Sequence, residues 1–161
     1  MDKLSKAVSL YDELHRKVGY LCVTFADIEK RLNEILILMI NEEDPAIGEA
    51  LVRAMPFAKG VDVFAELAPK VSDVDPDEIQ GIEILVNDLR QIAKYRNDII
   101  HSRWYLPDPE QETFTKEGAR PRKQSEPEQD IVLNKISETC LFADAVSSRL
   151  DDFKTEHWGW I

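Results

Sequence analysis

Two cysteines and three histidines are all that the 161 residues hold of the side chains that build disulfide frameworks and zinc sites. Cys22 and Cys140 stand far apart, form no Cys-x-x-Cys pair and have no histidine at zinc-ligand spacing. A disulfide scaffold and a zinc module are therefore excluded, no metal or cofactor is implied, and both cysteines are expected as reduced, mostly buried thiols. Long hydrophobic runs are missing too. The longest is the six residues from Ile35 to Ile40, far below the roughly 20 that cross a bilayer. The opening Met1-Asp2-Lys3-Leu4-Ser5 has none of the features of a secretory leader, so a cytoplasmic protein with no membrane partner is expected. Positive charge is also scarce. Twenty Lys and Arg face 31 Asp and Glu, a formal charge of −11, so the basic footprint usual in RNA-binding proteins is absent overall.

What is present suffices for one globular domain over residues 1 to 161: 43% of residues are hydrophobic and 32% charged, which is enough apolar material for a core. Apolar positions Leu4, Val8, Tyr11, Leu14, Val18, Leu21, Phe25, Ile28, Leu32, Ile35 and Met39 advance in steps of three or four. That spacing predicts one long helix to about Asn41, in preference to two helices broken near Gly19. Pro45 then opens a short helix over 46–55, and Pro56 a second one that ends before Pro69, with a loop around Ser72 to Asp75. Asp75-Pro76-Asp77-Glu78 reads as a cap, a first-position proline and a favourable acidic first turn, starting a long helix to about Ser102. Around 105–127, proline-bounded polar sequence with short alternating segments predicts a β-hairpin or loop excursion. A last helix is expected from about Glu128 to Thr155, with Ile131, Ile136, Leu141, Ala145 and Leu150 facing inward. Four to five helices with antiparallel neighbours make an all-α, up-and-down bundle.

The stretch carrying chemistry is Leu89-Arg90-Gln91-Ile92-Ala93-Lys94-Tyr95-Arg96-Asn97-Asp98-Ile99-Ile100-His101-Ser102-Arg103-Trp104. On a wheel of about 100° per residue, Leu85, Leu89, Ile92, Ile99 and Ile100 fall within about 60° of Arg96, which sits inside the apolar stripe. An isolated buried guanidinium costs several kcal/mol, so Arg96 calls for a carboxylate, backbone oxygens, or a cleft or interface open to an anion. Arg90, Lys94, Asn97 and His101 share the neighbouring polar edge. Arg, amide and His together suit metal-free cleavage of an RNA phosphodiester. Histidine takes the 2′-hydroxyl proton, guanidinium holds the phosphate oxygens and asparagine orients either. A single His does not readily serve as both base and acid, which favours a symmetric dimer.

Local charge agrees with this placement, since residues 86–123 carry eight basic and six acidic groups while both flanks are strongly acidic. Arg103, Lys116, Arg120, Arg122 and Lys123 are candidates for a phosphate-binding rim, or alternatively a solvated loop. Asp98 is expected to pair or face solvent. His15 and His157 have no partner at useful spacing, and Trp158 and Trp160 are expected to pack rather than to stack on bases.

Arg96-Asn97-Asp98-Ile99-Ile100-His101, with Tyr95 before it and Ser102-Arg103-Trp104 after it, resembles the HEPN superfamily (higher eukaryotes and prokaryotes nucleotide-binding domain). Phe25-Ala26-Asp27-Ile28-Glu29-Lys30-Arg31-Leu32 and Met55-Pro56-Phe57-Ala58-Lys59 are similar to less specific landmarks of that group. The resemblance implies a helical bundle and a dimeric, metal-independent endoribonuclease whose composite site takes Arg96 and His101 from both subunits, with Asn97 in support. It also implies a place in toxin–antitoxin, phage-defence or RNA-processing systems, with an antitoxin or nucleotidyltransferase as partner. Where the nucleotidyltransferase-paired subset carries a modifiable Tyr two residues after the His, this chain has Arg103, with Tyr105 close by. Two alternatives stay open: a non-catalytic module of the same fold that binds a nucleotide, RNA or protein, and a structural dimer with the first helix as its seam.

Overall fold

A computed structural model describes residues 2–70, 76–110, 112–117 and 128–159, with backbone only for 128–132. It is an all-α bundle with one small sheet. Helix α1, Lys3–Ile40, is unbroken through Gly19. Asp2 caps it by accepting from the Ser5 amide at 2.7 Å, and it buries Leu14, Leu21, Phe25, Ile28, Leu32 and Ile35. Helix α2, Pro45–Val52, starts at its proline, with the Asp44 carboxylate accepting from the Ala46 amide. Helix α3, Phe57–Leu67, runs into a single 3-10 turn, Ala68–Lys70. Helix α4, Pro76–Ile100, has Asp77 and Glu78 in its first turn, where they favour the dipole. The expected Asp75 cap and the loop before it lie outside the described residues.

The expected excursion is a three-stranded antiparallel sheet in the order β1-β2-β3. Strands β1, Arg103–Trp104, and β2, Thr113–Glu117, pair Trp104 with Lys116. Strand β3, Glu128–Val132, pairs Ile131 with Phe114. Helix α5, Leu133–Trp158, therefore begins five residues later than the sequence reading placed it. Its inward face is Leu133, Ile136, Cys140, Ala143, Val146, Leu150 and Phe153, in steps of three and four. Of the expected inward residues, Ile136 and Leu150 are buried, whereas Leu141 is 69% exposed and Ala145 is exposed. Ile131 belongs to the sheet.

Helix α1 is the central element and packs against α2, α3, α4 and α5, so its apolar stripe from Tyr11 onward is used within the chain, while Leu4 and Val8 are exposed. Among the described residues no helix is long and apolar enough to cross a membrane. Polar clamps tie α1 to α5. Arg31 pairs with both Asp27 and Asp151, and Asp27 also accepts from Ser147 Oγ at 2.8 Å. The hydrogen bond from Arg31 holds the Asp27 carboxyl below the usual carboxylate range. A depressed folded-state pKa contributes stability above the ordinary value, and that stability is lost as pH falls through the depressed one. Asp27→Asn is thus expected to lower the urea midpoint at pH 7 and to match wild type once the pH is below Asp27's folded value. An equal deficit at both pH values would show that shape, not charge, matters there.

Two glycines give a paired stability test. A Cβ on Gly48 would stand 2.6 Å from the Ile37 carbonyl oxygen, because α2 lies directly on the end of α1. A Cβ on Gly81, in α4, would meet nothing within 4 Å. Gly48→Ala should therefore cost about 1–3 kcal/mol by overpacking, and Gly81→Ala should gain about 0.5–1 kcal/mol by restricting the unfolded chain. Denaturant midpoints of the two variants should move in opposite directions.

Candidate functional site

Arg96 lies near the C-terminal end of α4, half-buried, with its guanidinium carbon 5.0 Å from the ring centroid of Phe25 on α1. Phe25 in turn packs on Phe57, the first residue of α3, at 4.9 Å between centroids. A guanidinium over an aromatic face is held by the ring quadrupole, worth about 0.5–2 kcal/mol. No carboxylate of the described residues pairs with it. Its Nη1 donates to Asn97 Oδ1 at 3.0 Å, and its Nε is buried without an acceptor. Among the described residues Arg96 thus makes no salt bridge. Other arginines of this acidic chain do find carboxylates: Arg31 has Asp27 and Asp151, Arg90 has Asp62 at 3.0 Å, and Arg149 has Asp88.

His101 follows the last residue of α4, and its amide still donates to the Asn97 carbonyl at 3.1 Å, so helical geometry carries through it. The residue is exposed, and among the described residues nothing hydrogen-bonds its imidazole. The helix end is clamped just around it. Trp104 Nε1 donates to the Ile99 carbonyl at 3.0 Å, and the Ser102 hydroxyl donates to the Asp98 carbonyl. These bonds occupy carbonyls that a helix C-terminus leaves open. An exposed imidazole can move a proton, and a seated guanidinium can stabilise phosphate charge.

Spacing sets a limit on what one copy can do. Five residues at about 100° each place His101 roughly 140° around the helix from Arg96, about 7.5 Å further along it. The two groups therefore address different sides of the helix end.

The proposed phosphate rim is only partly as expected. Arg90 shares its charge with Asp62 on α3. Lys94 is exposed and has no partner among the described residues. Arg103 is exposed and lies over the Tyr105 ring at 5.4 Å. Tyr105 donates to Glu117 at 2.7 Å, and that bond raises its pKa, which keeps the phenol protonated. Lys116 is corrected. It is 5% exposed and its ammonium pairs with Asp98, so it holds the sheet to α4 instead of facing solvent. Arg120, Arg122 and Lys123 lie outside the described residues.

Elsewhere, His157 Nε2 is 3.1 Å from Glu78 and its ring packs on Phe153, while His15 packs edge-on against Tyr11. Trp158 packs against the core beside Phe153. Cys140 is buried, and that burial raises its thiol pKa. Among the described residues no cluster of His, Cys, Asp or Glu could hold a metal ion.

Sequence reasoning missed a cavity of about 340 Å3 on the other flank of the same helix end, between α4, the sheet and α5. Gln91, Tyr95 and Asp98 from α4, Trp104 from β1, and Glu138 and Phe142 from α5 help to line it. The spacing of Gln91, Tyr95 and Asp98 by four and three residues marks one helix face, the only signal of it in the sequence.

Compared with family models, with curated proteins and with solved structures, the chain matches none. The functional reading therefore rests on the chemistry of the site.

Proposed function

We propose that this chain is a HEPN-type, metal-independent endoribonuclease that works as a homodimer. The observation carrying the proposal is the state of Arg96: a half-buried guanidinium seated on Phe25 which, among the described residues, has no acceptor for its buried Nε and no carboxylate to neutralise it. A bound phosphate would supply both missing terms, opposite charge and acceptor oxygens. In the reaction, neutral His101 takes the proton from a ribose 2′-hydroxyl. The 2′-oxygen attacks the adjacent phosphorus, the bond to the 5′-oxygen breaks, and that oxygen leaves with a proton from His101 of a second copy. The products are a 2′,3′-cyclic phosphate and a 5′-hydroxyl. Arg96 stabilises charge on the non-bridging oxygens, and Asn97 orients Arg96 through its bond to Nη1. Exposed Lys94 and Arg103, and to a smaller degree the partly neutralised Arg90, draw the backbone of single-stranded RNA toward the helix end. The same reading proposes a toxin or defence component held in check by an antitoxin or nucleotidyltransferase.

The roughly 140° between Arg96 and His101 supports the composite arrangement, because two copies meeting at the ends of α4 bring both groups to one phosphate. It also defines the second reading. A chain that stays monomeric keeps Arg96 as an anion-binding site without turnover, a binding module for nucleotide, RNA or protein. The test is dilution. Specific activity on an end-labelled mixed RNA pool in EDTA should fall as the protein is diluted below its dimerisation constant, in step with its sedimentation. Saturable RNA binding by a monomer without any cleavage would select the binding module.

A further inference from the structure

The cavity behind the helix end lies one turn from the candidate catalytic histidine. Asp98 contributes to its wall, and His101 follows three residues later on a backbone that is still helical. Residues so spaced have Cβ atoms about 5–6 Å apart. A group seated in the cavity is therefore within one nucleotide's length of the imidazole. The lining combines flat and polar surfaces. Trp104, Tyr95 and Phe142 supply aromatic rings, with Tyr95 and Phe142 edge-on at 6.2 Å. Gln91 donates its amide to the Tyr95 hydroxyl at 2.6 Å, which leaves its carbonyl as an acceptor. Asp98 accepts from the Lys116 ammonium at Oδ2, which leaves Oδ1. Glu138 brings a second carboxylate with no partner among the described residues, and Lys135 also lines the cavity. The cavity's volume falls within the range usual for small-molecule sites.

We infer that this cavity is a base-recognition subsite for an unpaired nucleobase carrying an exocyclic amine, next to the phosphate attacked in the reaction above. The inference rests on the endoribonuclease reading for its substrate, and it deepens that reading by adding specificity. Aromatic walls accept any base by stacking. The acceptors decide which one stays. Carboxylate and amide oxygens take hydrogen bonds from the amino groups of cytosine and adenine, whereas the O4 of uracil faces them as a second acceptor.

The experiment measures binding without cleavage. Hexamers of A, C or U with 2′-O-methyl groups throughout cannot be cut, and their affinities are read by fluorescence anisotropy on the full chain. The A and C hexamers should bind about tenfold more tightly than U, the discrimination of one good base contact. Glu138→Met, an exposed change of similar length that removes both acceptor oxygens, should cut that preference to about twofold or less. Phe142→Ala should weaken A, C and U alike, by about tenfold, through lost stacking. Equal affinity for the three hexamers, or a preference unchanged in Glu138→Met, would overturn the subsite. Preference among free AMP, CMP and UMP without any among the hexamers would assign the cavity to a free nucleotide and overturn it as a substrate subsite. A base preference in a protein that cuts no RNA would uphold the subsite while removing the nuclease reading.

Discussion

His101→Ala is expected to lower RNA cleavage by about 10²- to 10⁴-fold, the usual worth of a positioned general base, while leaving the fold and RNA affinity nearly unchanged. The structural grounds are that His101 is exposed and makes no side-chain hydrogen bond among the described residues, so its removal breaks no packing or network. Its location is nevertheless fixed, since bonds from Trp104 and Ser102 hold the carbonyls of Ile99 and Asp98 just before it. The clamp fixes where the His101 backbone stands, which limits the space its imidazole samples and is what a general base at this position needs. If the dimer uses one copy as base and the other as acid, the loss lies at the upper end, because a single substitution removes both. Circular dichroism and the urea midpoint should match wild type. A large drop in stability would instead identify His101 as a structural helix-end cation.

Arg96→Met should lower cleavage by about 10²- to 10³-fold and leave the protein at least as stable as wild type. Removing a guanidinium that stabilises developing phosphate charge costs about 10²–10³ in rate. On the stability side, the substitution removes a buried Nε without an acceptor, whose penalty is about 1–3 kcal/mol. It gives up a contact with Phe25 worth about 0.5–2 kcal/mol. The methionine fills similar volume beside that ring. The balance is a gain on the order of 1 kcal/mol, seen as a higher denaturant midpoint. A structural arginine behaves oppositely, since breaking a buried ion pair costs about 3–5 kcal/mol. Function bought with local instability is the pattern of a ligand site, and the two readouts moving in opposite directions distinguish it from a packing role.

The helical elements were readable because their information is local. Apolar steps of three and four in α1, the proline starts of α2 and α4 and the stop near Asn41 reappear within a few residues. The unusual placement of Arg96 was readable for the same reason, since its neighbours on the wheel are neighbours in sequence. Non-local pairing was not. Glu128–Val132 reads as the start of a helix when taken alone, yet it is the strand that pairs with Thr113–Glu117. Strand formation depends on partners distant in sequence. Leu141 and Ala145 are a separate error, since five-residue steps from Ile136 and to Leu150 leave the helix face that the buried residues share. Lys116 shows the same limit for charge. Grouped with neighbouring basic residues it looks like part of a rim, but its partner is Asp98, 18 residues earlier, and only the folded chain reveals that its ammonium is buried. The cavity draws on two helices and the sheet and had no single-segment signal beyond one face of α4.

The most direct measurement of the central claim is the chemistry of the product ends. Wild type and His101→Ala, each incubated in EDTA with an end-labelled RNA pool that includes folded tRNA, would be compared for fragments and for their termini. The account predicts fragments from wild type alone, with 2′,3′-cyclic phosphate on one side of each cut and 5′-hydroxyl on the other. Equal cleavage by both proteins, or fragments with 3′-hydroxyl and 5′-phosphate ends, would contradict it.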